Sequence, residues 1–275
     1  MSALLTSELI LRLTVFVGAL VLMAAAEVFW PRRKLVLGRR ARWPTNLGMV
    51  ALGALVIRLL AAAATVLLVP LVAVTAAVLA AQHDWGLLNA VSWPQWIEIA
   101  IALAFLDFAI WLQHLLAHRV PLLWRLHRVH HADRDIDVTT ALRFHPIEIG
   151  LSMIYKVGWV VVLGAPLEAV IAFELILNAV AMFNHANVAL PSGLERPLRA
   201  LIVTPDMHRI HHSIHASEHH ANFGFNLSVW DRLFATYVAE PRDGHREMTI
   251  GLPEFQTDRP ARLGWCLGLP FRRRF

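Results

Sequence analysis

The sequence holds 15 histidines, and several fall into short motifs whose spacing suits metal ligation. His114 and His118 form HLLAH. His127, His130 and His131 form HRVHH, and His208, His211 and His212 form HRIHH, the same HRxHH pattern a second time. His145 precedes Pro146 in RFHP, and His185 lies in FNHAN. Helical residues three or four apart share a face, so HxxxH and HxxHH can aim two or three imidazoles at one point. Neutral imidazole is a ligand for Zn, Cu, Fe and Ni. The three motifs exceed the roughly four ligands of one tetrahedral ion, and two ions are the natural reading. Adjacent pairs such as His130-His131 and His211-His212 point in different directions, which also suits two ions. Cys266 is the only cysteine, so no disulfide forms within the chain and no thiolate cluster can hold a metal. The Glu-x-x-His motif of carboxylate-bridged di-iron bundles is missing, and any site must be dominated by histidine.

The blander reading is that one HxxxH is coincidence or packing, and that a histidine-rich polar stretch is a solvated loop. Three motifs at the ends of separate apolar stretches argue against it. His83 and His245 are set aside, the first in a loop on the opposite side, the second in a polar tail. Within MHRIHHSIHASEHH, residues 207–220, His208, His211 and His212 are the expected ligands. His215 could reach the site only if the helix continues. His219 and His220 follow Glu218 and are expected on the surface.

These motifs must be positioned by membrane helices. The chain is 57% hydrophobic and 16% charged, against about 45–50% and about 25% in an average soluble chain. The excess lies in long runs: residues 13–30, 47–81, 97–113 and 149–184. The second run contains Pro70 and reads as one tilted or broken helix. The last is interrupted at Gly164-Ala165-Pro166, a break signal, and reads as two helices that enter and return. The expected fold is an all-α integral membrane bundle of about four to five spans, with a histidine-rich helical cap. The expected divisions are an N-terminal transmembrane region over 1–95, a catalytic region over 96–240 and a C-terminal tail over 241–275. The first span is not expected to be a cleaved signal, because Glu8 precedes Arg12 where signal peptides are basic. Of the 25 Lys and Arg, 22 fall in three segments after the first span, between His118 and Pro146, and after His185. The positive-inside rule puts all three, and the histidines with them, in the cytoplasm. The basic residues flank spans, so lipid headgroups rather than nucleic acid are the expected partner.

The motifs HLLAH, HRVHH, RFHP, FNHAN and HRIHH, followed by NFGFNLSVWDRLFATY, resemble the fatty acid hydroxylase superfamily, more narrowly its bacterial sterol desaturase-like members. The resemblance runs from about Asp107 to Tyr237. It implies a membrane-bound non-haem di-iron oxygenase of a bacterial inner membrane that uses O2 to hydroxylate a lipid. Desaturation and ether cleavage share the same core. It implies two Fe ions, which Zn could replace in recombinant protein, and a separate electron-transfer protein of ferredoxin or cytochrome type. The implied ligands are His114, His118, His127, His130, His131, His208, His211 and His212, with His185 and His145 completing the set. The chain departs from the pattern at Ala235, where relatives usually have Gly, and at His219 and His220, where they tend to have Thr and Asp.

Asp107 is the candidate catalytic carboxylate. It lies seven residues before His114, on the same side of the helix, where it could orient a ligand imidazole; a packing hydrogen bond between helices is the alternative. Glu174 is read the same way. The segments Asn222-Phe223-Gly224 and Trp230-Asp231-Arg232 are expected to build the cap. Rival functions are a metal transporter or sensor, a bis-His cytochrome, and a metal-binding relative without turnover. Transporters place ligands near the bilayer midplane, whereas these histidines cluster beyond helix ends.

Overall fold

A computed structural model describes residues 2–67 and 72–272. Five helices are long and apolar enough to cross a bilayer: α1 (Ser2–Phe29), α2 (Arg39–Leu67), α4 (Gln95–Arg119), α6 (Pro146–Leu163) and α7 (Leu167–His185). The short apolar α3 (Ala73–Gln82) lies between α2 and α4 in sequence. The second apolar run is therefore two helices; Pro70, and also Arg273 and Arg274, lie outside the described residues. Among the described residues the chain has no named strand, only isolated bridges. It is an integral membrane protein.

α1 packs along α7, α2 along α6, and α4 against both α6 and α7. α3 fills the gap beside α6 and α7, where Ala73, Ala76 and Ala77 meet Leu163, Val170 and Phe173. Small residues let these backbones approach closely, which is how helices associate where lipid is as apolar as the side chains. Leu13, Val17, Val21 and Leu22 of α1 stay exposed, an apolar face of the kind a span turns to lipid.

The expected return at Gly164-Ala165-Pro166 is a tight turn between α6 and α7. Gly164 ends α6 in the left-handed region at φ 68°, and Pro166 opens α7. The loop after α3 docks on it, with the Leu87 and Leu88 amides donating to the Val162 and Leu163 carbonyls. Gly86, at φ 98°, passes so close that a Cβ there would lie 2.1 Å from the Gly164 nitrogen. This end is opposite the histidines: α4 runs from it toward His114 and His118, and α7 runs from it toward His185. With 18 and 19 residues, α6 and α7 are each about 27 Å long, enough to span roughly 30 Å of hydrocarbon when flanked by polar ends.

At the histidine end the basic loop after α1 folds back onto the end of α7, with the Arg32 amide on the Asn187 carbonyl. α5 (Pro121–His131), α8 (Ser192–Leu201), α9 (Pro205–His211), α10 (Ala216–His219) and α11 (Val229–Leu233) form the cap. Residues 241–272 pack into the same body. Leu252, Phe255, Trp265 and Leu269 are buried against Met49, Val129 and Ala132, and Ser213 bridges to Ile250.

One buried ion network ties α2 to the cap. Arg42 is 0% exposed. Its guanidinium donates to both oxygens of Asp133 at 2.7 and 2.6 Å, to Asp137 at 2.6 Å and to the Thr140 hydroxyl at 3.0 Å. Asp137 in turn caps the 3-10 turn Val138–Leu142 in a reciprocal box with Thr140. Arg143 donates to Asn46 and to the carbonyls of Val129 and Pro260. These contacts hold the end of α5, and hence His130 and His131, against α2.

Candidate metal centre

The structure brings nine of the ten histidines expected as ligands into two adjacent groups. His114, His118, His127, His131 and His211 form one; His130, His185, His208 and His212 form the other. In each group one nitrogen from every ring lies within 4.8 Å of the others, and all nine residues are buried. The two HRxHH motifs divide reciprocally. His127 and His131, four apart on α5, face the first group while His130 faces the second. His208 and His212 face the second group while His211 faces the first.

Local structure sets this up. α4 carries HLLAH in its last two turns, so both imidazoles emerge on one face. α5 and α9 each begin with Pro at the first helical position, where its fixed φ suits a helix start and no amide is missed. The Thr204 side chain caps α9 by accepting from the Met207 amide at 3.3 Å. Each motif thus occupies a short helix with a defined start.

The ring nitrogens show what the groups can do. His114 Nδ1 donates to the Phe223 carbonyl at 2.7 Å, His185 Nδ1 to Ala181 at 2.7 Å and His211 Nδ1 to Ala221 at 2.6 Å. His127 Nδ1 lies 2.6 Å from Glu148 Oε1. In a neutral ring with its proton at Nδ1, Nε2 is a bare lone pair. Yet His114 Nε2 is 3.1 Å from His127 Nε2, and His185 Nε2 is 3.2 Å from His130 Nε2 and 3.0 Å from His208 Nε2. The bare nitrogens of His114 and His127 repel unless a cation sits between them, and the single Nε2 lone pair of His185 faces two neighbouring nitrogens and can accept a proton from only one of them. Nitrogens about 2 Å from one ion lie roughly 3 Å apart. His118 Nε2, His131 Nε2, His211 Nε2 and both nitrogens of His212 are buried without a hydrogen-bond partner among the described residues. Such groups are costly when unpaired, and a metal ion would satisfy them. The residues fit two metal ions.

Burial, reinforced by neighbouring imidazoles, pushes His130, His131, His208, His211 and His212 well below the ordinary histidine range. At neutral pH they are uncharged and ready to ligate.

His145 stands apart. Its Nδ1 accepts from the Ile147 amide at 3.2 Å as the N-cap of α6, and its Nε2 lies 3.3 Å from the Leu267 carbonyl. Both nitrogens are engaged outside the two groups, so the structure does not bring it to the centre. Asp107 is also placed away from the imidazoles. Its Oδ2 accepts from the Leu227 amide at 3.2 Å and from Trp230 Nε1 at 2.8 Å, so it anchors the cap to α4, a positioning role rather than contact with reacting atoms. Glu174 pairs with Arg12 at 2.7 Å and with Lys156.

His219, and in part the half-buried His220, correct the expectation of a surface position. His219 is buried, stacked 5.9 Å from Trp124, with Nδ1 donating to the Ser213 carbonyl. His220 Nδ1 lies 3.2 Å from His118 Nδ1. Burial, then His219 and Arg119, push His220 down to about 4, so at neutral pH it can accept the His118 proton and leave His118 Nε2 bare. His215 turns outward to Asp243 at 2.6 Å.

Glu148, which sequence reasoning missed, is the carboxylate beside a ligand-group imidazole. Its signal was weak: an acid in the first turn of a helix opened by Pro146. Replacing Glu148 by Gln is expected to weaken metal binding about 10–100-fold, the usual cost of losing a partner that orients a ligand histidine. Competition with a chelator measures it, and an unchanged affinity would remove Glu148 from the centre.

The expected cap segments are where the remaining support lies. Asp231 accepts from the Phe223 and Gly224 amides at 2.8 and 2.7 Å, from Trp111 at 3.1 Å and from the Thr236 hydroxyl at 2.7 Å. Asn222 donates to the Met207 and Val238 carbonyls. Residues 221–223 are thereby clamped so that two of their carbonyls meet His211 and His114.

The sequence model of the fatty acid hydroxylase family matches residues 99–236, half of the chain, with all nine clustered histidines and the segment over 221–231 that orients two of them. The chain belongs to the fatty acid hydroxylase family. Among curated relatives, it is 31% identical over 158 residues to the ornithine lipid hydroxylase of Rhizobium tropici, covering 58% of this chain and 47% of that protein. It is 32% identical over 149 residues to the alkylglycerol monooxygenase of Xenopus tropicalis, covering 54% of this chain and 31% of that one. The human alkylglycerol monooxygenase is 31% identical over 135 residues, 49% and 29% of the two chains. The chain thus spans about half the length, or less, of these relatives. No solved structure matches it.

The departure from the resembled pattern at Ala235 has a backbone consequence. Ala235 sits at φ 57°, in the left-handed region that costs a residue with a Cβ about 1–2 kcal/mol. Ala235→Gly is expected to raise the stability by about 1 kcal/mol, read as a higher thermal midpoint in detergent. A lower midpoint would show that unfolded-state entropy outweighs the relief.

Proposed function

We propose that this protein is a membrane-bound di-iron oxidoreductase that uses O2 to hydroxylate a C–H bond of a lipid. The observation that carries the reading is the pair of buried imidazole groups beside an apolar cavity of about 540 Å³ among the spans, with His114 and His127 on its wall. Two bound iron ions would supply the reductive activation of O2 that an unactivated C–H bond requires. The ten histidines expected as ligands reduce in this proposal to the nine that cluster. Their rings are oriented by the Phe223, Ala181 and Ala221 carbonyls, Glu148 and His220. Val50, Ala54, Ile57, Ile110 and Leu177 line the cavity, hold an alkyl chain and exclude water from the reacting end.

The basic segments, 22 of the 25 Lys and Arg, support a cytoplasmic position for the centre in a bacterial inner membrane. Electrons would come from a separate ferredoxin- or cytochrome-type protein on that side. A second reading, cleavage of an ether lipid on the same ligands, is favoured by the similarity to alkylglycerol monooxygenases. Both are tested by supplying anaerobically iron-loaded protein with an electron donor, 18O2 and a lipid extract. A lipid that gains one labelled oxygen supports hydroxylation, and a released aldehyde that carries the label, beside an unlabelled lyso-lipid, supports cleavage. Iron content near zero, or a haem Soret band, would sink the di-iron reading.

A further inference from the structure

The cavity holds a charge that its metal end does not account for. Arg58 lies inside a membrane span, on the cavity wall and exposed, and makes no hydrogen bond or ion pair with any described residue. A cation at such a depth is expensive and almost always meets a partner. Among the described residues the anions nearby are taken. Glu174 has one oxygen on Arg12 and the other on Lys156. Glu148, the carboxylate on the cavity wall, sits at the other end, engaged by His127. Gln113 and Ser152 on the wall bond to each other, and Asn178 donates to the Glu174 carbonyl.

We propose that Arg58 receives the anionic group, a phosphate or a carboxylate, of the lipid whose hydrocarbon runs along this cavity to His114 and His127. The inference rests on the oxidoreductase reading and names the class of its substrate. A guanidinium pairs with either anion through two parallel hydrogen bonds, and low polarity around it strengthens the pair. The spacing is set by α2. Met49 packs beside Val129 and Ala132, the neighbours of His130 and His131. From Met49 to Arg58 is nine residues, about 13 Å of helix. The cavity takes a stripe of α2 between them: Val50, Gly53, Ala54 and Ile57. An anion on Arg58 therefore leaves roughly 13 Å of hydrocarbon before the imidazoles, so the oxidised carbon is remote from the anionic group. Arg58 is also about 13 Å of helix from Leu67 at the far end of α2.

The experiment is spin-label binding to the full, iron-loaded chain in phosphatidylcholine vesicles. The probes are spin-labelled stearic acid, its methyl ester, spin-labelled phosphatidic acid and spin-labelled phosphatidylcholine. The wild type is expected to immobilise at least one anionic probe about tenfold more tightly than its neutral or zwitterionic counterpart, as a charged hydrogen bond allows. The preference should fall to about one in Arg58→Gln and be partly kept in Arg58→Lys. Preference for the acid over its ester identifies a carboxylate, and preference for phosphatidic acid over phosphatidylcholine identifies a phosphate. Equal immobilisation of all four probes by the wild type would overturn the proposal, as would a preference that survives in Arg58→Gln. Iron is counted on the same samples. A chain that selects anions through Arg58 but never holds iron would sink the oxidoreductase reading and leave the anion site standing.

Discussion

His208→Ala is expected to lower bound iron from about two ions per chain to about one, and to reduce turnover to background. The four-imidazole group has no ligand to spare, and His208 Nε2 sits 3.0 Å from His185 Nε2. Removing one ring opens the coordination sphere, and Phe225, the aromatic neighbour of His208, offers no donor in its place. His145→Ala is the paired control. Its ring caps α6 and touches the Leu267 carbonyl, so the loss should be about 1 kcal/mol of stability, with iron unchanged. Metal analysis of the two purified variants decides the matter. If His145→Ala emptied the centre while His208→Ala kept two ions, the ligand assignment would fall.

Arg42→Met is expected to destabilise the folded protein by about 3–5 kcal/mol, because it leaves two buried carboxylates without their cation. Burial alone would raise the Asp133 pKa, but Arg42 and then Arg143 outweigh it and hold the carboxyl below the usual range. A depressed folded value means that the stabilisation is present above the unfolded pKa of about 4 and is lost as pH falls through the folded value. The gap between wild type and Arg42→Met in thermal midpoint should therefore narrow below about pH 4. Adding Asp133→Asn to Arg42→Met should recover part of the loss at neutral pH. A double variant no better than the single one would mean that Arg42 acts through packing alone.

The spans and the gathering of the histidine motifs were legible because both rest on local periodicity. Long apolar runs specify helices in lipid, and HxxxH and HRxHH put imidazoles on one helical face, but which ring joins which group depends on how α5 and α9 pack. His145 was misjudged for want of one local rule: a residue just before a helix-opening proline is an N-cap, and His145 precedes Pro146. The rest depends on contacts distant in sequence. Glu148 meets His127 across 21 positions, and His220 meets His118 across 102. Nothing in the spacing of SEHH tells that Trp124 covers His219. Asp107 looked chemical because a carboxylate in a span is rare, but the loop it holds lies 120 residues away, beyond any pattern along the helix.

Three of the ligand-group rings take their orientation from main-chain carbonyls, at Phe223, Ala181 and Ala221. A carbonyl belongs to every amino acid, so substitution at those positions changes the side chain and leaves the proton acceptor in place. The chemistry of the centre is therefore insulated from drift at the atoms that orient it. Exposure to mutation is transferred to Asn222 and Asp231, whose side chains clamp the segment that carries two of those carbonyls. A scan that replaced side chains one at a time would register these two as essential and pass over Ala221, although the oxygen that faces His211 is alanine's own.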